Sequence, residues 1–335
     1  MDIIFNARTY NPDREIDNLV RDNYIQAILS IYNSLKDTLD LSLLNSIIVP
    51  EDYKTELFEF QRNKGHSEFI TENEYGRGFA QVVSSKSDRG EIVYNVIIDK
   101  NIILSLLPDN FLQSIKDNLN DDEQYKTFCY TRQLAINTLC HEFGHIYEYS
   151  LNRKIEWIRD REIGTELHSQ YLELAKQCWS EYFACRTVSS TFPLKPEDCI
   201  EIINTCNDVE KMLQEKRSKY NRRIITIEDF VTEFHKYTTF ILMKIASTHG
   251  NLYCLDESRK DIIQIMEDNL RESYVKSIWS EYGRALNKLY KDYPMWKDAT
   301  VFDDVISLIE KYYNQLDIYI SQTSQGIYYD IPIRL

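Results

Sequence analysis

Between Pro108 and the C-terminal tail this chain has no convincing β-prone run, and over that stretch the apolar residues recur at helical steps. A small sheet followed by a long helical remainder predicts an α+β fold. Within the first third, Ser46-Ile47-Ile48-Val49, closed by Pro50, reads as a short strand. Phe79–Ser85 and Glu91–Ile98 read as a hairpin, with Ser87-Asp88-Arg89-Gly90 supplying the turn. Ile92–Ile98 is apolar on both faces and belongs inside the sheet, which leaves Phe79–Ser85 as the edge. Helices are predicted over 15–39, 123–151 and 162–189, with a loop near 152–161 between the last two. Pro193 and Pro196 end that stretch, and Pro196-Glu197-Asp198 opens another helix. Thr226-Ile227-Glu228-Asp229 resembles a capping box at the start of a helix running towards Gly250, and helical patterns follow at 258–291 (broken) and 300–321. The expected division is a domain at 1–190 and a helical subdomain at 191–335.

Composition agrees with a helix-rich, aromatic-packed chain. Gly occurs nine times in 335 residues beside 24 Tyr and 14 Phe, whereas average usage of roughly 7% would give about 23 Gly. The 39 basic and 53 acidic residues leave a formal net charge of −14. That balance argues against a nucleic-acid partner, because a phosphate backbone wants a basic surface. Seven cysteines, with no CxxC pair, fit buried thiols in a reducing compartment better than a disulfide framework. No basic, apolar leader opens the chain, and apolar runs such as Phe240–Met243 stop far short of the roughly 20 residues a membrane span needs. A cytoplasmic protein without a membrane partner is expected.

The chemistry concentrates in His141-Glu142-Phe143-Gly144-His145. Two histidines four apart on a helix are rotated by about 40° and separated by about 6 Å along the axis, so both imidazoles project from one face. Two neutral imidazoles so placed can grip one Zn²⁺, and Glu142 can take the proton of a water activated there. Phe143 faces away, into the apolar stripe of Ile136, Leu139, Cys140 and Ile146. Cys140 adjoins the motif, but its side chain points about 100° from His141, a poor geometry for a thiol–imidazole pair.

Two histidines and a water leave a catalytic zinc site one protein ligand short. The motif, followed by Trp179-Ser180-Glu181-Tyr182-Phe183-Ala184, resembles the gluzincin metallopeptidases, in which a Glu on a later helix completes the site. Lethal-factor-like catalytic domains share both segments, and the ImmA/IrrE-type regulatory peptidases share the first. The resemblance covers residues 130–188. It implies a zincin-like fold, a zinc ion on His141, His145 and Glu181, Glu142 as general base, and a protein or peptide substrate lying along a sheet edge, here Phe79–Ser85. The residues themselves are compatible with Glu181: positions 146–180 are enough to finish one helix, turn, and bring a second back. Gln170, Leu174, Gln177 and Glu181 then share one helical face.

Other acidic side chains compete. Glu281 stands in a second copy of the tetrapeptide, Trp279-Ser280-Glu281-Tyr282, which reads as coincidence because the flanks differ. Glu148 suits the orientation of a ligand better than ligation, and Glu166 and Glu173 lie elsewhere on the second helix. Where the lethal-factor-like pattern has an oxyanion-stabilising Tyr, seven residues before the third ligand, this chain has Leu174. Tyr171, His168, His235 and His249 remain candidates for that role, and a lone histidine such as His66 is more often structural. The leading expectation is a zinc endopeptidase whose helical remainder shapes specificity or docks a regulatory protein partner. The alternative is a catalytically silent binding or regulatory module on the same scaffold.

Overall fold

The computed structural model describes residues 1–9, 14–69, 72–73, 76–106, 122–159, 163–189, 196–253, 260–271 and 273–332. Pro108, Pro193 and Cys254 lie outside them. The chain divides into two compact units, Met1–Ser150 and Leu151–Leu335. It is α+β, and no helix among the described residues is long and apolar enough to cross a membrane.

The first unit is built on a four-stranded sheet in the order β1-β2-β6-β5, with β1 Asp2–Phe5, β2 Leu44–Val49, β5 Ala80–Lys86 and β6 Ile92–Ile98. Glu72–Asn73 (β3) and Gly76–Arg77 (β4) pair separately. β1 and β2 are parallel, β2 and β6 are parallel, and β5 runs antiparallel to β6 from Ala80 opposite Ile98 to Lys86 opposite Ile92. The hairpin and its edge strand fall where the sequence places them. Gly90 closes the turn at φ 79°, a left-handed conformation that glycine adopts without a Cβ penalty. The strand at Asp2–Phe5 has no sequence signature of its own: with no alternation and only four residues, it is defined by its pairing with β2.

Burial on both faces explains why β2 and β6 read as continuous apolar runs: Ile47, Val96, Ile97 and Ile98 are fully buried. Asn95 is the exception within β6, and all its polar atoms are used. Its Oδ1 accepts from Asn45 Nδ2 at 2.9 Å and Ser46 Oγ at 2.8 Å, while its Nδ2 donates to Ser85 Oγ at 2.9 Å. That network ties three adjacent strands into one register.

Among the described residues, α1 Arg14–Leu35, α2 Tyr53–Asn63 and α4 Asp122–Asn152 accompany the sheet, with a single turn, α3, at Lys100–Ile103. Asp52 caps α2 by accepting from Thr55 N at 2.7 Å. α4 buries Ala135, Leu139, Cys140, Phe143 and Ile146 completely. Tyr149 of α4 stacks on Tyr94 of β6 at 4.5 Å between centroids, and Phe143 meets Tyr32 of α1 edge-on at 6.2 Å. These contacts fix how α4 is rotated about its axis.

The second unit is helical: α5 Glu166–Ser189, α6 Pro196–Asn221, α7 Ile227–Leu252, α8 Lys260–Asn269, α9 Trp279–Asp292 and α10 Asp303–Gln315. α5 packs chiefly along α7. Gly250 makes the approach of α5 and α7 close, since a Cβ there would lie 2.6 Å from the Tyr182 carbonyl oxygen. The capping box is formed: Asp229 N donates to Thr226 Oγ1 at 3.1 Å, and Thr226 N donates to Asp229 Oδ2 at 3.2 Å. The 300–321 helix is shorter than expected. A 3₁₀ turn occupies Ala299–Phe302, α10 ends at Gln315, Asp317 adopts φ 55°, and a hairpin of β7 Tyr319–Thr323 and β8 Gly326–Asp330 follows.

Candidate metal centre

The last turns of α4 carry the histidine pair. Phe143 is held inward by Tyr32, and a helix whose residue 143 faces the core turns residues 141 and 145 to its flank. His141 is half-buried, His145 is 9% exposed and Glu142 is 7% exposed. The two imidazoles stand edge to face, 88° between planes, with their Nε2 atoms 3.0 Å apart. Tetrahedral ligation with bonds of about 2.0–2.1 Å places two ligand nitrogens about 3.3 Å apart, so the pair is close to that spacing. Glu148, 3% exposed, has a carboxylate oxygen 3.9 Å from His145 Nδ1, on the far side of the ring from Nε2. A carboxylate there favours the proton on Nδ1 and leaves the Nε2 lone pair for a cation.

Glu181 is placed by α5. Trp179 and Tyr182 on either side of it are 1% exposed, which fixes the rotation of the helix and leaves the carboxylate half-buried on another face. Ser247 of α7 donates to Glu181 Oε2 at 3.1 Å. His141, His145 and Glu181 form a group that can hold a metal ion, with one ligand atom from each lying within 4.8 Å of the others.

The competitors go elsewhere. Glu281 is half exposed and ion-paired with Lys311 of α10 at 2.9 Å. Glu173 pairs with Lys176 at 3.0 Å, and Glu166 sits in the first turn of α5. His249 is a core histidine. It stacks on Trp279 at 4.0 Å, and burial drives its pKa down to about 4. Its close neighbour Gly283 has no room for a side chain, since a Cβ there would lie 2.6 Å from His249 Nδ1. His235 Nε2 meets the Tyr329 hydroxyl at 2.7 Å, and His168 packs over Gly164. Tyr171 is 8% exposed beside Tyr313. His66 contacts the Ser84 carbonyl at 2.9 Å on the edge strand. Burial pushes the thiols of Cys140, Cys178, Cys185 and Cys206 up to about 12, which removes them as nucleophiles at neutral pH. Ser247 is the residue that sequence reasoning missed: it belongs to an ordinary helical stretch, Ile245-Ala246-Ser247-Thr248, with no motif to mark it.

No protein-family model, no curated protein and no solved structure matches the chain.

Proposed function

We propose that the protein is a zinc-dependent endopeptidase of zincin-like fold. The observation that carries this reading is the gathering of His141, His145 and Glu181 next to the buried Glu142. Two imidazole nitrogens and one carboxylate oxygen are a donor set that suits Zn²⁺ and leaves a fourth position open. Zinc, when bound, polarises a carbonyl and brings the pKa of a water in the open position to about 7. Glu142 accepts the proton of the attacking water at a carboxylate oxygen and passes it to the leaving amine nitrogen. Its burial strengthens that exchange by keeping bulk water from competing for the proton.

The substrate in this reading is a protein or peptide that adds a strand to β5. Asp99 N donates to the Phe79 carbonyl at 2.7 Å, so the odd-numbered residues of β5 bond to β6 and the even-numbered ones face outward. His66 holds the Ser84 carbonyl, and an added strand would register on Ala80 and Val82. A regulatory protein partner would dock on the helical unit, and the setting would be cytoplasmic. Neither nucleic acid, given the net charge of −14, nor a membrane is a partner in this reading.

Glu142→Gln tests the mechanism. Purified variant should retain stoichiometric zinc while turnover of a cleavable protein falls by at least about 10³-fold. Turnover near the wild-type rate would sink it. Leu174, standing where the resembling family has its oxyanion-stabilising Tyr, favours the second reading, a silent binding or regulatory module. That reading expects bound zinc with no cleavage of a diverse peptide library by the unaltered protein.

A further inference from the structure

A recess of about 400 Å³ opens in the second unit, framed by Gln170, Leu174 and Gln177 of α5, His235 of α7, Tyr313 of α10 and Ile320 of β7. Its size is within the range of small-molecule sites, roughly 300–1,000 Å³. Three of these residues share the α5 face of Glu181, which follows Gln177 by one turn, about 6 Å along the axis. Helical side chains lean towards the N-terminus, so Glu181 inclines towards the recess.

The charge of the recess has one sign. Its lining includes Glu166 and Glu173 and neither lysine nor arginine. Glu173 is occupied by Lys176 at 3.0 Å, whereas Glu166 has no ion pair among the described residues. Burial holds the His235 imidazole below its ordinary pKa, so that ring adds no positive charge at neutral pH. The phenols of Tyr171 and Tyr329 are held above their usual range, first by burial and then by the charges of Glu310 and Glu166 respectively. Leu174, Tyr313 and Ile320 supply apolar wall, while Gln170 and Gln177 supply amide oxygens that accept from a cationic head.

We propose that this recess takes a lysine or arginine side chain of the substrate polypeptide, with its aliphatic stem against Leu174, Tyr313 and Ile320 and its cationic head at Glu166. The proposal rests on reading the metal centre as a peptidase site. Glu166 precedes Glu181 by 15 residues of α5, about 22 Å along the axis. With roughly 6 Å of that spanned by the basic side chain and an extended chain advancing about 3.3 Å per residue, the basic residue stands about five positions from the cleaved bond.

Two arms separate the fate of this proposal from that of the peptidase reading. In the first, the ¹⁵N-labelled full-length protein is titrated with Nα-acetyl-lysine amide, Nα-acetyl-arginine amide and Nα-acetyl-norleucine amide, which requires neither zinc nor turnover. The basic probes should perturb amides of α5 and α10 and bind at least about fivefold tighter than norleucine, and Glu166→Gln should erase that difference. Equal binding of all three probes, or no binding, overturns the recess. In the second arm, peptides carrying lysine, norleucine or glutamate near the bond are compared by kcat/KM. Wild type should prefer lysine by about tenfold, and Glu166→Gln should lose the preference with its zinc content unchanged. Cleavage indifferent to the basic residue overturns the recess and spares the peptidase. Charge-selective binding with no cleavage of any peptide spares the recess and overturns the peptidase.

Discussion

Trp179-Ser180-Glu181-Tyr182 and Trp279-Ser280-Glu281-Tyr282 are one tetrapeptide on two helices of the same unit, and only their aromatic residues behave alike. Trp179, Trp279, Tyr182 and Tyr282 are all at most 4% exposed, because residues three apart on a helix share a face and that face is covered in both places. The glutamates diverge. Glu181 receives a hydrogen bond from Ser247 and joins the histidine pair, while Glu281 reaches Lys311 at the surface. The four residues fix which face of each helix is buried. What the remaining face meets is decided by the neighbouring helix: α7 with Ser247 for one copy, α10 with Lys311 for the other.

The largest effect that follows separates the two glutamates. On the proposed peptidase reading, Glu181→Ala should lose zinc on dialysis and lose cleavage with it, whereas Glu281→Ala should retain both. Elemental analysis of the two variants side by side is the measurement. Equal zinc in the two would break the comparison at its root, since the tetrapeptides would then be interchangeable.

A smaller effect sharpens the same contrast through the partner rather than the ligand. Ser247→Ala removes the donor 3.1 Å from Glu181 Oε2. Outer partners of metal ligands typically matter 10–100-fold in affinity, so the affinity of the proposed site for zinc should fall by about that factor. Ser247→Thr keeps a hydroxyl and should restore most of it. A competition titration with a chromogenic chelator reads both variants, and an unchanged affinity in Ser247→Ala would show that Glu181 needs no support from α7.

How much of this was legible beforehand follows from the range of each interaction. The α4 motif was readable because both histidines and Glu142 lie within five residues of one helix, where geometry is set locally. The hairpin was readable for the same reason, and its turn carries its own chemistry at Gly90. The strand Asp2–Phe5 was not, since its pairing with Ser46–Val49 is long-range and its own pattern is weak. Glu181 could be placed on the right helical face, but choosing it over Glu281 needed either a resemblance or the structure. Ser247, His235 and the recess depend on contacts among α5, α7, α10 and the C-terminal hairpin, and no local spacing encodes those. Residues 316–321 illustrate the limit from the other side: an apolar pattern that suits helix is overridden when Asp317 turns left-handed and the chain pairs as a hairpin.

The smallest effect concerns the second copy of the tetrapeptide, whose tryptophan covers a titratable group. His249 lies against Trp279, fully buried, with its pKa lowered to about 4, chiefly by burial; a backbone hydrogen bond with Trp279 works the other way. A histidine whose folded pKa is below its unfolded value of about 6.5 contributes stability that is fully present above pH 6.5. That contribution is lost as the pH falls towards 4, because the unfolded chain takes up the proton first. The limiting slope is about 1.4 kcal/mol per pH unit. Glu210, buried with its carboxyl held above the usual range, works in the opposite sense over acid pH, so the two partly offset in the whole protein. Substitution isolates the histidine: in His249→Gln, denaturant midpoints between pH 6.5 and 4.5 should fall less steeply than in the unaltered protein. Parallel slopes would mean that the ring is charged in the folded state, and that Trp279 seals its helix less tightly than Trp179 seals the other.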